Sequence, residues 1–131
     1  MRALLDTNIL VRHLTADPPS QGRRATAFLA ASHELFLTDL VLAELVYVLE
    51  SYYRRPRAEV AEDARSLLAL PTVAVSDREL LLRAVELYEE ERLHFAEAYL
   101  AATAEVSGIG VVASFDRGLD RLTTIQRVEP R

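Results

Sequence analysis

The chain contains no cysteine and no lysine, and each absence removes whole classes of chemistry. Without thiols there is no disulfide framework, no thiolate zinc site and no cysteine nucleophile, so any metal must be held by oxygen or imidazole. Without lysine there is no Schiff-base catalyst, no P-loop lysine and no receiver-domain lysine. All 15 strongly basic residues are arginine. Long apolar runs are also missing: Leu40 to Leu49 is interrupted by Glu44 and falls short of the ~20 residues that cross a bilayer. The stretch Met1-Arg2-Ala3-Leu4-Leu5 meets Asp6 before a secretory h-region can form, which leads us to expect a cytoplasmic protein without a membrane span. Positive charge is scarce. A net charge of −5 argues against a broad electrostatic footprint for nucleic acid, so such a substrate would need metal ions and local arginines to offset the acidity.

What is present has the profile of a globular protein: 50% hydrophobic and 27% charged residues, which excludes a disordered tail. At 131 residues, one domain spanning 1–131 with a single core is expected. Neither an internal repeat nor a linker rich in Pro, Gly or Ser divides it.

Ala3-Leu4-Leu5 reads as a short buried strand, and Asp6-Thr7-Asn8 turns the chain into a helix carrying Ile9, Leu10 and Leu14. After Asp17-Pro18-Pro19 a second helix runs from Gln21 to Ala31, with Ala25, Phe28 and Leu29 at amphipathic spacing. Leu35-Phe36-Leu37 is a strand, and Thr38 or Asp39 caps the apolar helix from Leu40 to Tyr53. The arginine-rich segment 54 to 57 reads as an exposed hairpin before a helix from Ala58 to Ala69. A β-branched strand at Thr72 to Val75 leads to a helix capped by Ser76 or Asp77. Phe95 to Val106 is a helix of small residues closed by Gly108, Gly110 to Ser114 a strand, Asp116 to Leu122 a turn with a short helix, and Ile125 to Val128 the last strand. Such alternation predicts an α/β fold, a three-layer α/β/α sandwich with a mostly parallel central sheet.

In open α/β sheets, ligands bind beyond the carboxyl ends of the strands, so acids placed there stand out. Asp6 follows the first strand and Asp116 the strand ending at Ser114; taken alone, Asp6 also suits a helix N-cap and Asp116 an ordinary turn. Glu44 stands among Leu42, Ala43, Leu45 and Val46, where an ionised carboxylate needs a cation or a donor unless it lies on a solvated outer face. Glu97 is the one long acid in Phe95-Ala96-Glu97-Ala98-Tyr99-Leu100, which alone also fits an exposed helical position. Carboxylates gathered together raise one another's pKa unless a cation is bound, so the four jointly imply a hard divalent metal, magnesium or manganese.

The motifs Leu4-Leu5-Asp6-Thr7-Asn8-Ile9-Leu10, Ala43-Glu44-Leu45, His94-Phe95-Ala96-Glu97-Ala98-Tyr99-Leu100-Ala101-Ala102 and Ala113-Ser114-Phe115-Asp116-Arg117, in this order, resemble the PIN domain. The size and arrangement look like the VapC-type toxins of bacterial and archaeal toxin–antitoxin pairs. The resemblance covers essentially the whole chain. It implies that Asp6, Glu44, Glu97 and Asp116 form the acidic, metal-holding and catalytic pocket of a Mg2+- or Mn2+-dependent ribonuclease, with Asn8 and Ser114 supporting it and Thr7 capping the first helix. It also implies an RNA substrate cut to leave a 5′-phosphate and a 3′-hydroxyl, a cognate antitoxin protein, and a homodimer.

Two positions depart from the family pattern. Glu97 stands where aspartate is more usual, moving the carboxylate by about 1.5 Å, and His94 stands where many relatives carry an acid. Arg117 and Arg121 are the expected substrate-binding arginines, with Arg12, Arg23 and Arg24 on nearby segments. A haloacid-dehalogenase-type phosphatase would need an aspartate where Asn8 stands and a lysine the chain lacks. A PIN-like module that binds RNA or a protein partner without catalysis is the remaining alternative.

Overall fold

The computed structural model describes residues 1–31 and 33–131, and the chain separates into two compact units, Met1–Ser76 and Asp77–Arg131. The first unit contains β1 (Arg2–Leu4), α1 (Thr7–Thr15), α2 (Pro19–Ala30), β2 (Glu34–Phe36), α3 (Asp39–Ser51), α4 (Arg57–Leu68) and β3 (Val73–Ala74). The second contains α5 (Arg78–Glu90), α6 (Phe95–Ser107), β4 (Val111–Ala113), a 3-10 helix (Arg117–Arg121) and β5 (Gln126–Val128). The element order is the one the periodicity predicts, and every strand pair is parallel. The strands fall into two sheets, one in each unit: β1-β2-β3, with Ala3 opposite Leu35 and Leu35 opposite Val73, and β4-β5, with Val112 opposite Arg127. Among the described residues no helix is long and apolar enough to cross a membrane.

Capping explains most of the helix starts. Thr38 and Asp77 stand in extended conformation, and their side chains accept from the backbone N–H groups of Val41 and Leu80, at 3.2 and 3.0 Å. Pro19 opens α2 at its first position, where no N–H is needed. Gly108 ends α6 with φ 78°, the left-handed conformation that a residue without Cβ accepts at no steric cost.

Helical periodicity selects the buried faces. Leu42, Leu45, Val46 and Leu49 form the inner stripe of α3, and Leu81, Ala84, Val85 and Tyr88 that of α5. In α6 the stripe is Ala98, Ala101 and Ala102, small enough for close helix packing, and the Phe95 ring meets Tyr88 edge-on at 6.0 Å. In the first unit, α2 closes onto α1 at Gly22. An added Cβ there would lie 2.6 Å from Ala16 Cα and 2.9 Å from the Arg12 carbonyl oxygen.

Two local expectations need correction. The strand read as buried is only partly so: Leu5 is buried, whereas Leu4 is 74% exposed. Successive side chains of a strand point to opposite faces, so only one set enters the core. The arginine-rich segment does connect α3 to α4, but Arg55 turns inward, donating to Asp63 Oδ2 at 2.7 Å and to the Leu14 carbonyl at 2.9 Å. Burial nevertheless raises the Asp63 pKa, against the lowering effect of Arg55.

Candidate metal and nuclease site

The chain leaves β1 at Leu4 and enters α1 at Thr7, and the corner between them is Asp6 in extended conformation, φ −87° and ψ 153°. From there the Asp6 carboxylate reaches forward, Oδ1 accepting from the Thr7 N–H at 2.8 Å. The N-cap role expected of Thr7 therefore falls to Asp6, because Thr7 already has helical geometry and its side chain is released for other use. That use is Glu44: the Thr7 hydroxyl donates to Glu44 Oε2 at 2.9 Å. Thr7 is 5% exposed, so this bond lies partly out of water and one residue fixes two carboxylates at once.

Glu44 itself is on the outer side of α3, between Leu40 and Tyr47, which are 78% and 67% exposed. The apolar run did not bury it; its donor comes from α1, as Thr7. Asp6, Thr7, Asn8 and Glu44 line one cavity of about 470 Å3, together with Arg12 and Tyr53. Asn8, the expected supporting residue, is exposed on the first turn of α1.

The second unit gathers a second pair of acids. Asp116 follows β4 and caps the 3-10 helix, Oδ1 accepting from the Gly118 N–H at 2.8 Å. Ser114 sits two residues before it, and its hydroxyl accepts from the Asp116 N–H at 2.9 Å, fixing the corner. Glu97, in the first turn of α6, lies beside Asp116. Burial raises the Glu97 pKa, and the Asp116 carboxylate raises it further, whereas His94 and Arg121 pull it down. The Asp116 pKa moves the other way, lowered first by the Gly118 N–H and then by the hydrogen bond with Glu97. Each shift has its own leading cause, burial for Glu97 and the Gly118 N–H for Asp116, and the hydrogen bond between the two carboxyls moves them further apart.

His94 occupies the N-cap position of α6 without a side-chain cap bond, and its charge acts on both acids. Arg121 Nε donates to the Gly118 carbonyl at 3.2 Å, and the Arg121 charge lowers both carboxyls. Arg117 is exposed, and its charge bears on Asp120. Among the described residues no set of three or more acidic or histidine side chains is assembled as a metal site; each unit contributes a pair.

Sequence reasoning missed the part played by Thr7. A signal was available: Asp6 and Thr7 are both good capping residues, and one helix start needs only one cap.

Comparison with known proteins bears on this arrangement. A family model described as PIN domain matches residues 3–124, which run through both units. This chain belongs to the PIN domain family. This PIN domain is also similar to a VapC ribonuclease of Aquifex aeolicus (strain VF5), at 28% identity over 122 residues, covering 91% of this chain and 90% of that protein. A solved structure, VapBC2 from Rickettsia felis bound to a DNA fragment from their promoter, is 18% identical with a TM-score of 0.41 and covers 98% of each chain.

Proposed function

We propose that this PIN domain is a divalent-metal-dependent ribonuclease of the VapC type, the toxin of a toxin–antitoxin pair, acting in the cytoplasm as a homodimer held in check by an antitoxin protein. The observation that carries the reading is the pair of acids in each unit, with Asp6, Glu44 and Asp116 held by the chain's own donors, in a PIN domain similar to a protein named VapC ribonuclease. The proposal treats both units as one domain and Asp6, Glu44, Glu97 and Asp116 as one metal-holding set.

The donor set suits a hard cation. All four groups are carboxylates, and magnesium and manganese prefer oxygen ligands. The Asp6 cap bond and the Thr7 bond to Glu44 each use one carboxylate oxygen, which leaves the other for a cation or a water. Glu97 and Asp116 lie close enough for each to bear on the other's ionisation, a repulsion that a divalent cation relieves.

When bound, such a cation activates water for in-line attack on a phosphodiester and neutralises charge that develops on the phosphoryl and leaving oxygens. The chain's own residues set the stage. Thr7 holds Asp6 and Glu44 in fixed geometry, Gly118 and Ser114 fix the Asp116 corner, and Arg121 supplies a positive charge beside Glu97 and Asp116 that suits a phosphate. Attack by activated water with the 3′-oxygen as leaving group, the course the family resemblance implies, gives products with a 5′-phosphate and a 3′-hydroxyl.

The test is cleavage of a panel of structured RNAs with magnesium or manganese, with chelator, and with Asp6→Asn and Glu44→Gln. Cleavage should require metal and both carboxylates. Activity that survives the chelator or either carboxamide overturns the reading, and metal binding without cleavage of any RNA favours a binding module.

A further inference from the structure

A second cavity lies beside the acidic one. Asn8, Ile9 and Arg12 from α1 and Gln21, Arg24 and Phe28 from α2 line a groove of about 440 Å3, inside the range of roughly 300–1,000 Å3 typical of small-ligand sites. Helical spacing accounts for it. Positions 8 and 12 share one face of α1, and 21, 24 and 28 share one face of α2, so both stripes turn toward a common space. Asn8 and Arg12 line both cavities, and the groove is therefore continuous with the one that contains Asp6 and Glu44.

The chemistry of the groove differs from that of the molecule as a whole. In a chain of net charge −5, its lining holds two arginines and no acid. Arg12 is oriented by its Nε, which donates to Gln21 Oε1 at 3.1 Å. The Phe28 ring is backed by His33, stacked at 4.6 Å between centroids and 30° between planes, which stiffens an aromatic surface in the wall. The His13 Nδ1 contact with Thr26 Oγ1 at 2.8 Å and the close approach at Gly22 hold α1 and α2 at a fixed separation.

We propose that this groove is a nucleotide subsite for single-stranded RNA. One base stacks on Phe28, and Arg12 and Arg24 hold the adjoining phosphates, placing the next phosphodiester toward Asp6 and Glu44. An aromatic surface with flanking cations is how proteins hold single-stranded nucleic acid, since every base has a π-face and every linkage a charge. The amides of Asn8 and Gln21 add donors and acceptors for a base edge. The inference rests on the ribonuclease reading and deepens it by saying where the strand lies.

The experiment uses the full chain carrying Asp6→Asn, which should bind RNA without cutting it. Fluorescence anisotropy gives Kd for a short single-stranded oligoribonucleotide and for a series in which each base in turn is replaced by an abasic site. Loss of one base should raise Kd about 5- to 150-fold at one position, the cost of a lost stack. Adding Phe28→Leu, which keeps an apolar side chain, should abolish that position's penalty and leave the others in place. Arg24→Glu, an exposed change that spares the fold, should raise Kd about tenfold for every oligonucleotide in the series. Parental affinities in both groove variants overturn the subsite and leave the groove to a protein partner. If the unmodified chain still cleaves RNA in a metal-dependent way, the ribonuclease reading survives that result. A chain that neither binds nor cleaves RNA overturns both.

Discussion

Thr7 shows how much one hydroxyl can organise. Its N–H fixes Asp6 and its Oγ1 fixes Glu44, so the geometry of both acids depends on a side chain that need not touch substrate. Replacing Thr7 with valine keeps the volume and the backbone bond but removes the donor to Glu44. Outer partners of metal ligands are worth about 10- to 100-fold in affinity or activity. Thr7→Val should therefore weaken metal binding and RNA cleavage by about that factor, and Thr7→Ser should restore most of both; equal loss in the serine variant would show that packing, not the hydroxyl, matters. Glu97 gives a second prediction at this scale, with a definite sign. Its carboxyl titrates higher in the folded chain than the ordinary 4.5, so its contribution to stability is whole below that pH and is lost as pH rises through the folded value. At neutral pH the metal-free protein carries this cost. Glu97→Gln should melt at a higher temperature than the parent in chelator at neutral pH, with the gap closing below about pH 4.5. A variant that melts lower at neutral pH would contradict the raised Glu97 pKa. Asp116 is held low first by Gly118, which both proteins keep, and second by Glu97, whose amide replacement can still donate to it.

At the scale of elements, the pairing of α1 with α2 depends on what Gly22 lacks. A methyl group there meets backbone atoms of Ala16 and Arg12, which cannot swing aside as a side-chain end could. Overpacking of this kind costs about 1–3 kcal/mol, against a gain of at most about 1 kcal/mol from the better helix propensity of alanine. Gly22→Ala should lower Tm by a few degrees and widen the groove, which thermal unfolding of the purified variant will measure. Element boundaries themselves were legible in the sequence because caps and stripes agree. Thr38, Asp77 and Gly108 stand at the ends where propensity puts them, and the stripes Leu42, Leu45, Leu49 and Leu81, Ala84, Tyr88 are the buried ones. What periodicity could not reveal was the inward turn of Arg55 or the outward face of Leu40, Glu44 and Tyr47. Those depend on contacts far apart in sequence, which a local pattern does not encode.

For the molecule as a whole, the central question is whether two pairs of acids serve one metal set. A ligand that binds only the folded state stabilises it by about 2.7 kcal/mol at a hundredfold excess over Kd. Magnesium or manganese should then raise the Tm of the parent measurably. If the four carboxylates act together, Asp6→Asn in the first unit and Asp116→Asn in the second should each remove most of that rise. A rise that either variant leaves largely intact would mean that the pairs bind independently, and would count against the proposed common centre. The family assignment stands apart from that result, since it rests on the match over residues 3–124.

The sequence by itself determined the α/β class, the order of elements and the PIN-domain family. Each is written in local terms: hydrophobic period, capping residue, and motifs a few residues long. Only the tertiary structure decided which groups hold the four acids. Thr7 and Glu44 are 37 residues apart, and nothing local to either names the other. Likewise the opposite pKa shifts of Glu97 and Asp116 arise because α6 and the end of β4 are brought together, leaving one carboxyl less solvated than its neighbour. A side chain's chemical type is fixed by the chain; its partner, its solvation and so its charge state are fixed by folding.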